Sequence, residues 1–145
     1  MSHGHPIPLT PVPIGIRSEE FQGILGWPFT DAYVGRLLLN DIPQRVQFGN
    51  CQIWIYRDPE ERLAGFGTLD VCDDCCEFTD GHHHPYIPLL AVNPTIKSRG
   101  YGTSIVRHLV DESALLALQG HCHDVLFLDV YISNLKAIDV YTKCG

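Results

Sequence analysis

A short segment between an apolar strand and an amphipathic helix constrains the fold of this chain more than any other part of the sequence. The apolar run Tyr86–Val92 predicts a buried strand, which Pro94 ends. A turn containing Gly100 and Gly102 then leads into a helix predicted over Thr103–Leu118. A strand, a tight turn and a helix in this order are typical of an α/β domain.

The turn has the features of a phosphate-binding loop. Its glycines carry no Cβ, so the backbone can approach a ligand closely. The first N–H groups of the following helix point toward the same spot, where the helix dipole adds partial positive charge. We therefore predict a pyrophosphate cradle with the following members: Lys97, Ser98, Arg99, Gly100, Tyr101, Gly102 and Thr103.

Two common nucleotide-binding motifs do not fit this turn. A dinucleotide-binding fold needs a third glycine where Ile105 stands, and a Walker A loop needs Gly-Lys-Ser/Thr after the second glycine. A Gly-x-Gly turn on its own is also compatible with a plain strand-to-helix connection. The interpretation of this turn as a phosphate-binding loop therefore needs support from the rest of the chain.

The remaining periodicity predicts one α/β domain over residues 1–145 with a mixed sheet. Residues 1–16 carry four prolines and are predicted to form an extended arm. The other predicted elements are helical Ser18–Asn40 broken at Gly26–Pro28, a hairpin of Gln52–Tyr56 and Leu63–Val71, a strand over Val125–Ile132 and a helix over Asn134–Lys143. The inner stripe predicted for the long helix is Ile105, Val106, Leu109, Val110, Ser113 and Leu116.

The composition argues against several classes of protein. Of the 145 residues, 45% are hydrophobic, which is enough for a single domain with a real core. The net charge of −7 argues against nucleic-acid binding through a basic surface. No apolar run approaches the ~20 residues of a membrane span, and the N-terminus lacks the pattern of a secretory signal. We expect a cytoplasmic protein with reduced cysteines.

The stretch after the buried strand resembles the acetyl-CoA-binding motif of the GNAT superfamily of N-acetyltransferases. The family pattern is Gln/Arg-x-x-Gly-x-Gly/Ala after a strand that ends in Val-x-Pro. Here Val92-Asn93-Pro94 precedes Lys97-Ser98-Arg99-Gly100-Tyr101-Gly102, with Lys97 where the family prefers Gln or Arg.

A second block matches at the expected distance. The family often carries Asn-x-x-Ala-x-x-x-Tyr-x-x-x-Gly-Phe, and this chain has Asn134, Ala137, Tyr141 and Gly145 at those offsets. The resemblance implies a mixed, mostly antiparallel central sheet flanked by helices. Since family members continue beyond this point, the C-terminal strands are expected to be missing or truncated, which leaves a sheet edge that a second copy in a homodimer could cover.

The resemblance also implies a reaction, the transfer of acetyl from the co-substrate acetyl-CoA to a primary amine by direct attack. The pantetheine arm would lie along main-chain groups of Leu90, Ala91 and Val92, and Asn134 would hydrogen-bond it. Tyr141 would protonate the departing thiolate. Asn134 is equally compatible with a helix N-cap, and Tyr141 with a packed aromatic ring.

The identity of the base stays open. An acceptor amine is mostly protonated at pH 7, with a lysine-like pKa of ~10.4, so one proton must be removed. Many family members place a glutamate early in the third strand, where this chain has Tyr86, a poor base. The candidates are His84, Asp129 and Glu77, or a chain of water molecules.

Between the hairpin and the third strand lies a segment rich in cysteine and histidine. A tetrahedral zinc site could be formed by Cys72, Cys75, His82 and His84. The alternative is that this segment is an acidic loop beside the cleft that binds the amine acceptor. Three functions therefore remain: an acetyltransferase acting on a small-molecule or peptide amine, a non-catalytic acyl-CoA-binding sensor or regulatory module, and a zinc-stabilised interaction protein.

Overall fold

The computed structural model describes residues 9–28, 32–48, 51–72, 84–96, 100–119 and 127–128. Its strands are β1 (Thr10–Ile14), β2 (Cys51–Arg57), β3 (Leu63–Cys72), β4 (His84–Ile87), β5 (Leu90–Val92) and β6 (Phe127–Leu128). Its helices are α1 (Glu19–Leu25), α2 (Ala32–Arg36), a π-helical turn (Leu37–Asp41), α3 (Ile42–Gln47) and α4 (Tyr101–Leu118). Within these ranges no helix combines the length and apolarity needed to cross a membrane.

One six-stranded sheet organises these elements in the order β1-β2-β3-β4-β6, with β5 paired to β3. The pairs β1–β2, β2–β3, β3–β4 and β3–β5 are antiparallel, and β4–β6 is parallel. The predicted fold class, a mixed and mostly antiparallel sheet with helices on its faces, is confirmed.

The proline-rich arm is part of the sheet. Residues 10–14 are extended, as predicted, and they pair with β2 along their whole length as strand β1, at the edge of the described sheet. Pro11 and Pro13 are tolerated because they alternate with Thr10, Val12 and Ile14. Neighbouring residues of a strand point their N–H groups to opposite edges, so the prolines remove donors from the outer edge only.

The helical region continues further than the sequence predicted. Ser18 caps α1 by accepting a hydrogen bond from the N–H of Phe21 at 3.2 Å, and the break after Leu25 is as expected. After it, helical turns run beyond the predicted end at Asn40, up to Gln47. The N–H of Ile42 bonds to the carbonyl of Leu37, five residues back.

Pro43 explains this wide turn. A proline inside helical structure has no N–H to donate, and its ring crowds the carbonyl four residues earlier, here that of Leu39. Widening the turn by one residue relieves that crowding and lets the helix continue.

The sheet separates two apolar layers. The layer under α1–α3 contains Phe21, Ile24, Leu38, Ile42, Ile53, Ile55 and Phe66. The layer under α4 contains Tyr56, Leu69, Ile87, Ile105 and Leu109. Successive residues of β2 alternate between the two layers because strand side chains alternate in direction.

Helix α4 lies close to β3 because two positions of that strand are glycines. A Cβ on Gly65 would meet Ile105 Cδ1 at 2.6 Å and the carbonyl oxygen of Ala91 at 2.7 Å. A Cβ on Gly67 would meet Leu109 Cδ1 at 3.0 Å. The predicted inner stripe of α4 is correct for its fully buried members but wrong for Val110, which is 36% exposed and lies on the outer face.

A hydroxyl, an imidazole and a carboxylate connect β2 to α4. The buried Tyr56 hydroxyl lies 2.7 Å from His108 Nδ1, and His108 Nε2 lies 3.4 Å from Glu112 Oε1. Burial lowers the pKa of His108, an effect that outweighs the opposite influence of Glu112 and Asp111. With the ring neutral, Nε2–H faces Glu112 and Nδ1 accepts from Tyr56.

We predict that Gly65→Ala destabilises the protein by about 1–3 kcal/mol, because the new methyl group overlaps a backbone oxygen that cannot move independently. Urea denaturation measures the change. The matched control is Gly23→Ala in α1, where nothing lies within 4 Å of the added Cβ. It should be neutral or stabilising by up to about 1 kcal/mol. An equal effect of both variants would contradict the close contact between α4 and β3.

We also predict that His108 makes the protein less stable in acid. Its pKa is lowered in the folded state, so the unfolded chain takes up the proton first as the pH falls through ~6.5. The free energy of unfolding should therefore decrease between pH 7 and pH 5. In His108→Gln this decrease should be smaller, as measured by urea denaturation across the same range. Parallel pH curves for the two proteins would contradict the prediction.

Candidate functional site

A β-bulge interrupts the third strand of the sequence prediction. Tyr86 pairs with Asp70 and Leu90 pairs with Gly67, so three residues of one chain segment face only two of β3. The prediction of one continuous strand over Tyr86–Val92 is therefore wrong at this point. Pro88 lies inside the bulge, where its missing N–H leaves no ladder position unfilled.

Thr68 holds the bulge in place. Its N–H and its hydroxyl donate to the carbonyl oxygen of Leu89 at 3.0 and 2.6 Å, and its hydroxyl oxygen accepts from the N–H of Leu89 at 3.0 Å. The side chain is fully buried. A buried, fully bonded hydroxyl fixes the local backbone, and with it the direction in which β5 leaves the bulge.

The residues predicted to bind the pantetheine arm, Leu90, Ala91 and Val92, form β5. They are half-buried, and among the described strands only β3 pairs with them. Their main-chain groups on the other edge therefore point away from β3. Such groups could bind an extended ligand as an added strand would.

The exit from β5 is fixed by Asn93. Its N–H donates to the carbonyl oxygen of Ala64 at 2.7 Å, and its side-chain amide donates to that of Leu63 at 2.9 Å. Its side-chain oxygen accepts from the N–H and the hydroxyl of Thr95 at 3.0 and 2.8 Å. One asparagine therefore ties the end of β5 to β3, four residues before the predicted cradle begins.

Within the predicted cradle, Gly100 is the N-cap of α4 with a φ of 89°. This left-handed conformation favours glycine strongly. The helix ladder begins where the N–H of Ser104 donates to the Gly100 carbonyl at 3.0 Å. The N–H groups of Tyr101 and Gly102 precede it, as a phosphate-binding helix start requires.

The side chain of Tyr101 points into the protein. It is 3% exposed, and its hydroxyl donates to Asp58 Oδ2 at 3.2 Å. Of the predicted cradle residue Tyr101, only the main chain is therefore placed to meet a ligand.

Asp58 is the fixed point to which Tyr101 is bonded. It lies in the β2–β3 turn and accepts hydrogen bonds from the N–H groups of Glu60 and Arg62 at 2.9 and 2.8 Å, and from Arg62 Nε at 2.7 Å. Burial opposes the charge on this carboxylate, but the bonds from Arg62 and Tyr101 outweigh it and lower its pKa. An ionised carboxylate in the hairpin thus anchors the start of α4.

The other predicted site residues can be placed only in part. His84 begins β4 opposite Cys72, and for these two only the backbone is described. The following predicted residues lie outside the described residues: Cys75, Glu77, His82, Lys97, Ser98, Arg99, Asp129, Asn134 and Tyr141. The part of the chain that is described contains no group of three or more side chains suited to hold a metal ion.

Among the described residues, two buried carboxylates were not singled out from the sequence. Asp58 is in a turn, and Asp70 lies near the end of the apolar strand β3, where Arg45 Nη1 donates to its Oδ2 at 2.6 Å. The signal was an aspartate within the otherwise apolar run of β3. Buried aspartates are rare unless they are paired.

Comparison with solved structures supports the same architecture. The complex AtaTR bound with AcCoA matches with a TM-score of 0.69 and 19% identity, over 94% of this chain and 83% of that chain. Aminoglycoside antibiotic 6'-N-acetyltransferase AAC(6')-Ih from Acinetobacter baumannii matches with a TM-score of 0.66 and 13% identity, over 95% and 90%. A chimera of spermidine N-acetyltransferase SpeG from Vibrio cholerae and hSSAT matches with a TM-score of 0.67 and 17% identity, over 94% and 79%.

These likenesses concern the fold. No curated protein matches the chain in sequence. The family model described as acetyltransferase (GNAT) family, however, matches residues 16–145, which is most of the chain. By its sequence, and with a fold that agrees, this chain belongs to the GNAT family of acetyltransferases.

Proposed function

We propose that this protein transfers an acetyl group from acetyl-CoA to a primary amine. The observation that carries the proposal is the pairing of two features within 15 residues: a bulged strand whose second edge pairs with no other described strand, and a left-handed glycine that opens an 18-residue helix. The first can bind an extended thioester arm, and the second can bind its diphosphate.

In the proposed mechanism the main chain does most of the binding. The amides at the start of α4 bind the pyrophosphate together with Lys97, Ser98 and Arg99. The outer edge of β5 binds the pantetheine arm, and one of its N–H groups polarises the thioester carbonyl. Asn134 hydrogen-bonds the arm, and Tyr141 gives a proton to the departing thiolate.

The structural neighbours support this choice of substrates. One was solved with AcCoA, and others are named as aminoglycoside and spermidine N-acetyltransferases. A net charge of −7 suits a cationic acceptor. We therefore propose a small-molecule or peptide amine as the acceptor. We also propose that the protein is cytoplasmic.

The first test measures binding and turnover separately. Acetyl-CoA should raise the melting temperature, and thiol release should appear when spermidine, neamine or a lysine-containing peptide is added. Tyr141→Phe should lower the turnover at least tenfold while the dissociation constant of acetyl-CoA changes less than twofold, because the hydroxyl acts only on the leaving thiolate.

The outcomes separate the three functions. Binding without turnover for all three amines would favour a non-catalytic acyl-CoA sensor. A melting temperature that acetyl-CoA does not change would exclude both the enzyme and the sensor.

A second prediction concerns the bond between Tyr101 and Asp58. Tyr101→Phe removes the hydroxyl that anchors the start of α4, so the KM for acetyl-CoA should rise about three- to tenfold with kcat within twofold. The matched control is Tyr56→Phe, which removes another buried hydroxyl that bonds to α4 away from the cradle. It should leave that KM unchanged. Steady-state kinetics with varied acetyl-CoA concentration measure the KM of each variant. Equal KM values for both variants would contradict the anchoring role.

A further inference from the structure

Arg62, the last residue of the β2–β3 turn, lies beside the connection from β5 to α4. The next residue, Leu63, accepts a hydrogen bond at its carbonyl from the side chain of Asn93 at 2.9 Å. At the far end of that connection, the Tyr101 hydroxyl and Arg62 Nε donate to one oxygen, Asp58 Oδ2, at 3.2 and 2.7 Å. The connection that contains the predicted cradle is thus tied, before and after it, to positions next to one guanidinium.

This guanidinium is held at one atom and open at the others. The side chain of Asp58 has no exposed surface, whereas that of Arg62 is 49% exposed. Among the described residues, the hydrogen bonds and ion pairs of the Arg62 side chain involve Nε, and none involves Nη1 or Nη2. A guanidinium carries most of its N–H donors on these two atoms. Because Nε is already fixed, this planar pair of donors is pre-oriented for a ligand.

Glu60 does not close the open side of the guanidinium. Its Oε2 lies 3.3 Å from Arg62 Nε, and its side chain is 73% exposed. Ion pairs exposed to solvent in this way contribute little free energy. The buried carboxylate of Asp58 therefore holds Arg62, and Glu60 can turn into solvent when a second anion binds.

Coenzyme A carries two anionic groups, its diphosphate and the 3′-phosphate of its ribose. The diphosphate is proposed above to bind the amides that open α4. Arg62 is displaced from those amides by the length of the Tyr101 side chain, which reaches from the first helical residue to Asp58. The 3′-phosphate is displaced from the diphosphate by one ribose, which is a comparable length. As a monoester it carries a charge of about −1.5 to −2 at pH 7, and a guanidinium binds such a group with two parallel hydrogen bonds.

We propose, on the basis of the acetyl-CoA binding proposed above, that Arg62 binds the 3′-phosphate of coenzyme A through Nη1 and Nη2. Its Nε stays on Asp58, so one buried carboxylate positions both the start of α4 and this guanidinium. Arg62 is thus a specificity-determining residue. It distinguishes coenzyme A from dephospho-coenzyme A, which has a hydroxyl group in place of the 3′-phosphate.

Isothermal titration calorimetry with coenzyme A and with dephospho-coenzyme A tests this assignment without an acceptor amine. The wild type should bind coenzyme A about 5- to 50-fold more tightly, the range expected for a half-exposed, charge-assisted contact. In Arg62→Gln this ratio of dissociation constants should fall below about twofold. Losing the bond from Arg62 to Asp58 also disturbs the cradle, but it does so for both ligands and therefore cancels from the ratio.

The matched control is Arg57→Gln in the same hairpin. Arg57 Nη1 donates to the carbonyl oxygen of Glu61 at 3.1 Å, so this variant removes the same charge from the turn. Its ratio should stay within twofold of the wild-type ratio. Arg62→Lys keeps a cation for Asp58 but lacks the planar pair of donors, so it should lose most of the ratio. This second variant decides the case in which Arg62→Gln does not fold.

Three results would overturn the proposal. They are a wild type that binds both ligands equally, a folded Arg62 variant that keeps the wild-type ratio, and an equal loss of the ratio in Arg57→Gln. If the expected ratios are found but no amine is acetylated, this inference stands and only the proposed transfer fails. If neither ligand binds, the proposed function fails, and this inference fails with it.

Discussion

The close approach of α4 to β3 is the contact on which the rest of the structure depends. Gly65 and Gly67 leave no room for a side chain, so Ile105 and Leu109 pack directly on the strand backbone. This contact sets the height of the helix above the sheet, and thereby the position of its first amides beside the end of β5. Interiors are packed too densely for the helix to shift without repacking this layer.

Long-range hydrogen bonds complete the placement of β5 and of the first turn of α4. Thr68 fixes the bulge, Asn93 fixes the exit of β5, and Asp58 fixes the first residue of α4. All three lie on or bond to β3 and its hairpin, so the two halves of the proposed ligand-binding surface share one rigid support. A surface built on rigid elements loses less entropy when it binds a ligand than a surface built on loops.

The sequence predicted the features that local patterns determine. The hairpin, the long helix and the glycine turn follow from periodicity and from residues with special backbone preferences. The bulge depends on Thr68, which is 21 residues away from Leu89, and the bond from Tyr101 to Asp58 spans 43 residues. Asp70 became notable only when the fold buried it and paired it with Arg45, 25 residues away. Such pairings depend on tertiary contacts, which a single sequence does not display.

The alternating prolines of β1 have a consequence for how this molecule meets others. The outer edge of β1 still presents carbonyl oxygens, but at Pro11 and Pro13 it has no N–H to return. An incoming strand would meet acceptors without the reciprocal donors that a ladder requires. Sheet extension into fibres or strand-exchanged assemblies is therefore disfavoured at this border, and any partner that docks there must rely on side chains.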